Sequence, residues 1–386
     1  MRLRAAIGRP AAAVPLHEPE LGEHEWAAVR ACLGAGEVST FGPTVGRFEE
    51  ALAAVTGARF VVATVNGTAA LHVALHLAGV TAGDEVIVPS LAFVAIPNAA
   101  RYCGAIPHFA DSDERTLGID ASKLSAYLTN IVRRDGGAAI NRLTRRRIAA
   151  IVPLHAFGHP ADLAHLLEIG DRFGVPIVED AAQALGSLYD GRQAGTFGRA
   201  GILSFNGNKI VTCGGGGAVL TNDPAIAAAA RHVTTTAKIA HPWEMSHDRL
   251  GFNYRLPSLN AALGCAQLDR LPDFLARKRR LASRYAEAFD GLPGARIFAA
   301  QDRARSNHWL NVLVLDETAA ADRDAIFAAA HREGYMARAA WTPLHELPMF
   351  ADCPRMDVSS AESLARRLVA LPSSPALADA STSCAS

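Results

Sequence analysis

The sequence has few cysteines, and none of them are grouped. Six occur among 386 residues, and no two form a Cys-x-x-Cys pair. Zinc clusters and disulfide frameworks need closely spaced cysteines, so this spacing argues against both kinds of site. It is typical of a protein that works in a reducing cytoplasm. The cysteines are Cys32, Cys103, Cys213, Cys265, Cys353 and Cys384.

The chain also lacks an excess of charge and a long apolar run. Its 38 Lys and Arg residues balance 38 Asp and Glu residues, so the formal net charge is zero. Non-specific binders of nucleic acid or of membrane surfaces normally carry a basic excess, so both classes are disfavoured. No uninterrupted apolar run is long enough to span a bilayer. The basic segment Met1–Pro10 lacks the apolar core of a signal peptide, and we expect a soluble cytoplasmic protein.

What the sequence does have is an alternation of strand-like and helix-like segments. Half of its residues are hydrophobic, which is enough for a large core and two domains. The alternation between residues 58 and 220 predicts an α/β fold with a mostly parallel sheet. The predicted strands are 60–65, 85–88, 106–109, 148–152, 176–179, 201–205 and 217–221. The predicted helices are 68–78, 93–102, 121–128 and 161–173.

The predicted domain organisation has four parts. An N-terminal arm covers residues 1–20, and a large α/β domain covers 21–257. A single long helix, from Leu259 to about Phe289, occupies the connecting region 258–290. A smaller α+β domain covers 291–386 and is expected to pack on the large sheet as a lid. Its predicted elements are strands 309–315 and 335–341 and helices 323–333 and 361–368.

Residues 131–147 are unusually rich in arginine. The segment holds six arginines around two glycines. We interpret it as a solvated loop, and the alternative is a contact with the diphosphate of a substrate.

Lys209 is the most informative single residue of the chain. It follows the apolar run Gly201–Phe205 and precedes the four glycines Gly214–Gly217. The polar trio 206–208 indicates a turn, which would deliver the amine into a cavity. A lysine in such a place suggests a Schiff-base lysine, although on this segment alone a surface lysine at a strand end is the better interpretation.

Another segment of the chain could bind a phosphate group. Asn66, Gly67 and Thr68 come directly after a predicted strand and open a predicted helix. Backbone N–H groups at a helix N-terminus, together with a threonine hydroxyl, form an anion site. Ser204, five residues before Lys209, could add a further hydroxyl. An ordinary turn with a helix cap would show the same pattern.

Asp180 stands at the carboxyl end of a predicted buried strand, the edge at which open α/β sheets bind ligands. A carboxylate there could hold a protonated pyridine nitrogen, and Gln183 could bond a phenolic oxygen of the same ring. Phe93 follows another strand end and could stack on that ring. Each residue alone also fits a structural role, but a phosphate site, a stacking ring, an acid and a lysine together indicate one cofactor site.

With these motifs, the chain resembles the DegT/StrS-type sugar aminotransferases. The resemblance extends from Val14 to Ser374. It implies the aspartate-aminotransferase fold, pyridoxal phosphate (PLP) fold type I, and pyridoxal 5'-phosphate as the cofactor. The matching motifs are Asn66–Leu71, Gly83–Pro89, Glu179–Gln183, Ser204–Lys209 and Gly251–Leu256.

The resemblance also implies a role for each site residue. Lys209 would bind the cofactor covalently, Asp180 would bind its pyridine nitrogen and Gln183 its phenolic oxygen. Asn253 would reach the phosphate of the neighbouring subunit, which implies a homodimer with shared active sites. The remaining cofactor contacts implied by the resemblance are Phe93 with the ring, and Gly67, Thr68 and Ser204 with the phosphate.

Within the family, three features resemble the branch that acts in bacillosamine and legionaminic-acid type pathways. These are Phe205–Ile210 with the glycine run, the arginine-rich segment and Trp341–Phe350. This branch implies a ping-pong transaminase that moves an amino group from glutamate to a UDP-linked 4-keto-6-deoxy sugar. The product would serve surface-glycan or nonulosonic-acid biosynthesis.

Several histidines and other polar residues could take part in substrate contact or metal binding. His72 and His76 share one helix face, but no third ligand is evident, and we expect no metal. Further candidates for substrate contact are His155, Arg255, Trp341 and His345.

Two alternative functions remain at this point. A related sugar dehydratase would use the same cofactor, but enzymes of that type lack the Schiff-base lysine, so Lys209 argues against it. A non-catalytic, cofactor-binding regulatory protein would not need every catalytic position filled, as it is here.

Overall fold

The computed structural model describes residues 1–10 and 12–379. Residues 380–386 of the predicted small domain, Cys384 among them, lie outside the described residues. The α-helices are α1 (Arg2–Ile7), α2 (Glu23–Gly34), α3 (Thr44–Thr56), α4 (Gly67–Leu77), α5 (Ala95–Tyr102), α6 (Ala121–Ile131), α7 (Leu163–Phe173), α8 (Pro224–Thr234), α9 (Ser258–Asp269), α10 (Leu271–Phe289), α11 (Arg323–Arg332) and α12 (Ser359–Arg367). The strands are β1 (Phe60–Thr64), β2 (Glu85–Pro89), β3 (Ile106–Ala110), β4 (Val132–Asp135), β5 (Ala138–Asn141), β6 (Ile148–Ile151), β7 (Val178–Asp180), β8 (Leu188–Tyr189), β9 (Arg192–Gln193), β10 (Ala200–Ser204), β11 (Gly217–Thr221), β12 (Ala295–Ile297), β13 (Ala304–Arg305), β14 (Asn311–Leu315), β15 (Arg338–Ala339) and β16 (Leu368–Leu371).

A large mixed sheet forms the centre of the molecule. Its strands lie in the order β3-β2-β6-β7-β10-β11-β1, with β6 joined to β7 by parallel bridges such as Ile151 with Ile177. β11 runs antiparallel to both of its neighbours, and the other pairings are parallel. Strands such as β2 and β6 are buried along their whole length, as expected for parallel strands covered on both faces. The predicted α/β fold with a mostly parallel sheet is confirmed.

The second sheet belongs to the C-terminal part of the chain. It is antiparallel, in the order β12-β14-β16-β15, and it has a separate core around Tyr285, Leu313 and Val369. The N-terminal arm crosses this part. Val14 pairs with Tyr335, and the carbonyl of Leu16 accepts a hydrogen bond from the N–H of Ser373.

The predicted long helix 259–289 is wrong as a single element, because the chain forms α9 and α10 with a break at Arg270. Pro272 lies in the first turn of α10, where its missing N–H is tolerated and where it prevents a continuous helix. The predicted strand 335–341 is reduced to β15. The predicted helix 361–368 ends at Arg367, and the strand β16 follows it.

The arginine-rich segment is not a loop throughout. It contains the hairpin β4–β5, which turns at Gly136 and Gly137, both with positive φ. Four of its six arginines bind protein groups. Arg147 pairs with Asp84, for example, and Arg133 pairs with Asp135. Among the described residues, no helix is long and apolar enough to cross a membrane.

Candidate active site

A cavity of about 500 Å³ lies where the large sheet meets the C-terminal part of the chain. Strand ends of the large sheet supply one side of it, with Asp180 at the end of β7 and Ser204 at the end of β10. Arg338 and Trp341, from the C-terminal part, supply the other side. The predicted cofactor residues that line this cavity are Gly67, Thr68, Phe93, Asp180, Gln183, Ser204 and Lys209.

The N-terminus of α4 lines one end of the cavity. Asn66 caps the helix, and its side-chain oxygen accepts from the N–H of Ala69 at 2.8 Å. Gly67 packs against Ser204, and a Cβ on Gly67 would lie 3.0 Å from the Cβ of Ser204. A Cβ on Gly217 would lie 2.5 Å from the backbone carbonyl of Asn66. These glycines let β10 and β11 approach the turn closely, which brings the hydroxyls of Thr68 and Ser204 beside the helix N-terminus.

Asp180 is a buried carboxylate at the carboxyl end of β7. Its Oδ1 accepts a hydrogen bond from the N–H of Ala182 at 2.9 Å. Burial raises the pKa of Asp180, and the Ala182 hydrogen bond and the nearby Lys209 and His155 oppose that rise. A buried carboxylate that lines a cavity favours a ligand with a positive charge or a proton to donate.

Gln183 can act as a donor to a bound group. Its side-chain oxygen already accepts from the N–H of Phe157 at 2.7 Å. The amide N–H groups of Gln183 are therefore the part of the side chain that can bond a ligand oxygen.

Lys209 follows a turn in which its N–H donates to the carbonyl of Asn206 at 2.9 Å. Its Nζ lies 4.0 Å from the ring centroid of Trp309. Burial lowers the pKa of Lys209 to about 8, and the Asp180 carboxylate acts in the opposite direction. The amine is thus partly neutral near neutral pH and can act as a nucleophile or a base.

This donor set fits pyridoxal 5'-phosphate. The helix N-terminus and the two hydroxyls can bind a phosphate, and Asp180 can bind a pyridine nitrogen. The amine of Lys209 can react with the carbonyl carbon of the cofactor. Phe93 lies on the cavity surface and is 54% exposed, so its ring face is open to a planar ligand.

Only one of the four predicted substrate residues lines the cavity. Trp341 lines the cavity, whereas His155, Arg255 and His345 are absent from the residues that line it. His155 lies near Asp180 but outside the cavity lining. Its Nδ1 accepts a hydrogen bond from the N–H of Ala161, and its Nε2 bonds Glu179 at 3.1 Å. The Arg255 Nε donates to the carbonyl of Thr40 at 3.0 Å. His345 is bonded by Ser90 at 2.6 Å and by Glu362 at 3.2 Å.

Asn253 is exposed and does not line the cavity of its own chain. An exposed Asn253 is compatible with the predicted contact with a neighbouring subunit, and that contact remains a prediction.

The cavity residues that were missed in the sequence include Leu16, Phe157, Trp309 and Arg338. Phe157 follows the predicted strand 148–152 of the large sheet and the other three do not, but none of the four stands in a recognisable motif. Arg338 and Trp309 stand in the C-terminal part, where one aromatic or one arginine carries no local signal. They could only have been found by knowing how the two parts pack.

Comparisons with known proteins agree with this geometry. A family model described as the DegT/DnrJ/EryC1/StrS aminotransferase family matches residues 19–384. The GDP-perosamine synthase of Caulobacter vibrioides is 34% identical over 94% of this chain and 93% of its own length. The GDP-perosamine synthase of Escherichia coli O157:H7 is 32% identical over 95% and 94%.

Solved structures share the fold. The aminotransferase TlmJ from Streptoalloteichus hindustanus is 31% identical with a TM-score of 0.85, covering 96% of both chains. DesI, solved with its TDP-sugar product, is 32% identical with a TM-score of 0.82, covering 95% of this chain and 90% of its own.

Proposed function

Because the chain belongs to the DegT/DnrJ/EryC1/StrS aminotransferase family, we propose that its cavity transfers an amino group from glutamate to a nucleotide-linked 4-keto-6-deoxy sugar. The protein is a pyridoxal-phosphate-dependent sugar aminotransferase with a nucleotide sugar as substrate. The observation that carries the proposal is that Lys209, Asp180 and Thr68 line one cavity.

Pyridoxal phosphate, when bound, supplies a carbonyl that combines with amines and a ring that accepts electrons. Lys209 would hold the cofactor and, with its amine free, would move a proton between the substrate carbon and the cofactor carbon. Burial keeps part of this amine neutral, as a base requires. Asp180 would keep the ring nitrogen protonated. Gly67, Thr68 and Ser204 would bind the phosphate, Gln183 the ring oxygen and Phe93 the ring face.

Arg338 is the candidate for the carboxylate of the amino donor. Among the described residues that line the cavity it is the only arginine, and it is exposed there. Within the described part of the chain, no hydrogen bond or ion pair occupies its guanidinium. A planar guanidinium binds a carboxylate through two parallel hydrogen bonds.

The nucleotide that the sugar substrate carries is a separate part of the proposal. The branch resemblance favours UDP, whereas the names of two relatives carry a GDP-linked sugar and DesI was solved with a TDP-sugar product. We propose UDP as the first nucleotide to test, with GDP and TDP in the same panel.

We also propose a homodimer in which Asn253 serves the cavity of the partner subunit. Support comes from large apolar side chains that one chain leaves exposed, including Phe41, Trp243, Met245 and Leu250. Mixing inactive Lys209→Ala protein with Asn253→Ala protein tests this arrangement. Hybrid dimers contain one site with both residues intact, so the mixture should regain activity, and a mixture that stays at the mean of its components would contradict shared sites.

The function itself is tested by incubating the cofactor-loaded enzyme with glutamate and UDP-, GDP- and TDP-linked 4-keto-6-deoxy sugars. Mass spectrometry and NMR should detect an amino sugar, and Lys209→Ala should form none. Production of a deoxygenated sugar without an amino group would favour the dehydratase alternative. Absence of any product, with no glutamate-dependent change in cofactor absorbance, would overturn the proposal.

A further inference from the structure

Trp309 contacts the loop that carries Lys209 in two ways. The ring centroid of Trp309 lies 4.0 Å from the Nζ of Lys209. The indole Nε1–H donates to the backbone carbonyl of Asn208, the residue directly before Lys209, at 2.8 Å. The same side chain therefore touches both the amine and the backbone that positions it.

The surrounding structure holds Trp309 firmly. Its backbone N–H donates to the side-chain oxygen of Asn307 at 2.8 Å, and its carbonyl accepts from the Nζ of Lys278 at 3.1 Å. Asn307 in turn donates to the carbonyls of Gln183 and Leu185 at 2.9 and 2.8 Å. The backbone of Trp309 is therefore anchored on both sides, and the indole itself is held by its hydrogen bond to the carbonyl of Asn208.

Burial disfavours the charged form of Lys209, and few neighbouring charged groups counteract this effect. The Asp180 carboxylate is the attractive charge, and the buried imidazole of His17 is a further titratable group in electrostatic range. Burial, Lys278 and Lys209 all lower the pKa of His17, so this imidazole stays neutral. The face of an indole attracts a desolvated ammonium group.

Amino transfer requires Lys209 to release the cofactor, take up a proton and return it in every half-reaction. A long, flexible side chain that is released into a cavity of this size can adopt unproductive rotamers. A fixed aromatic face 4.0 Å from the amine limits that freedom.

We propose that Trp309 is a positioning residue for Lys209: its ring holds the released, protonated amine beside the reacting carbon, and its N–H fixes the Asn208–Lys209 turn. This role rests on the proposed aminotransferase function. It differs from a purely structural role, in which Trp309 would only fill space between the two parts of the chain.

The first test needs no catalysis. Cofactor-free protein is labelled with an amine-reactive reagent across a pH series, and peptide mass mapping locates the label. The chain has only four lysines, so Lys123, Lys238 and Lys278 serve as internal references. Loss of the ring in Trp309→Leu should move the midpoint for Lys209 to lower pH by about one unit, since the ammonium form loses its aromatic partner. Trp309→Phe should move it less, and a midpoint that stays in place or rises in Trp309→Leu would overturn the proposal.

The second test separates positioning from substrate binding. With loaded enzyme, Trp309→Leu should reduce kcat on the order of 10- to 30-fold while KM for glutamate and for the sugar stays unchanged. Trp309→Phe should recover part of kcat through its ring. Trp26→Leu is the matched control, since that indole is exposed on α2 outside the cavity, and it should leave kcat unchanged.

A raised KM at constant kcat would show that Trp309 binds substrate and would overturn the proposal. A wild-type enzyme that transfers no amino group would refute the proposed function. The labelling series would still show whether the ring of Trp309 stabilises the charged form of Lys209.

Discussion

The indole of Trp341 stacks on the ring of Phe157, with centroids 4.8 Å apart and planes 11° from parallel. The two residues are separated by nearly half the length of the chain, and both line the cavity. Their contact joins the segment after β6 to the segment after β15 at the wall of the cavity. It therefore forms an apolar wall that neither part has alone.

That wall should bind the sugar substrate. Trp341→Ala removes an aromatic face worth about 1 kcal/mol or more, so KM for the sugar should rise about fivefold or more. The KM for glutamate should change little, which steady-state kinetics with each substrate varied in turn can check. An unchanged KM for every sugar in the panel would contradict the assignment.

Asp180→Asn should bind the cofactor but lose most activity. An amide keeps the shape of the side chain and removes the negative charge that keeps the ring nitrogen protonated. We expect kcat to fall on the order of 100-fold or more, because the carbanion loses its electron sink. Cofactor content measured by absorbance after dialysis provides the control. A variant that retains wild-type kcat would show that Asp180 only caps the following turn.

The reaction of cofactor-free enzyme with pyridoxal phosphate should depend on pH through Lys209. The neutral amine is the reactive form, and burial lowers the pKa of Lys209 to about 8. The rate should therefore rise as the pH increases through about 8 and then level off. In Asp180→Asn the midpoint should shift to lower pH, because the attraction that favours the ammonium form is gone. A midpoint near that of a free lysine would show that Lys209 is solvated.

Arg338→Gln should weaken binding of glutamate and leave the sugar half-reaction unchanged. Losing a bidentate carboxylate contact costs about 2–3 kcal/mol, so KM for glutamate should rise roughly 30- to 100-fold. Arg338→Lys should recover only part of this loss, since an ammonium lacks the planar fork. Arg332→Gln, at an exposed arginine outside the cavity, is the control. A selective effect on the sugar half-reaction would instead place the diphosphate at Arg338.

Glu179→Gln should destabilise the fold. The buried Glu179 carboxylate accepts from the N–H groups of Gly195, Phe197 and Gly198 at 2.6–2.7 Å, besides its bond to His155. An amide would turn N–H groups toward these donors, so the free energy of unfolding should fall by about 2–5 kcal/mol. Denaturant titration can measure this loss, and the exposed Glu168→Gln should stay within about 0.5 kcal/mol of wild type.

The parts of the site that could be predicted lie in short contiguous motifs. Asn66–Thr68, Asp180 with Gln183, and Ser204 with Lys209 each follow a strand of the large sheet, and neighbouring strand ends meet at one edge. The break between α9 and α10 was missed, although Pro272 signals it, because the apolar pattern continues on both sides. Four helices, α1, α2, α3 and α8, were not predicted, because they lie outside the alternation between residues 58 and 220.

The sequence by itself determined the fold class and the cofactor chemistry, because both depend on local patterns: buried strands, the turns at their ends, and one lysine and one acid at those turns. Only the tertiary structure decided what surrounds the reacting amine. Trp309 meets Lys209, Trp341 meets Phe157, and Arg338 enters the same cavity, through the packing of two sheets that are distant in the chain. His155 and His345, which looked available for substrate, are held by Glu179 and by Ser90 and Glu362. Such contacts depend on the relative placement of whole elements, and no local periodicity or spacing encodes it.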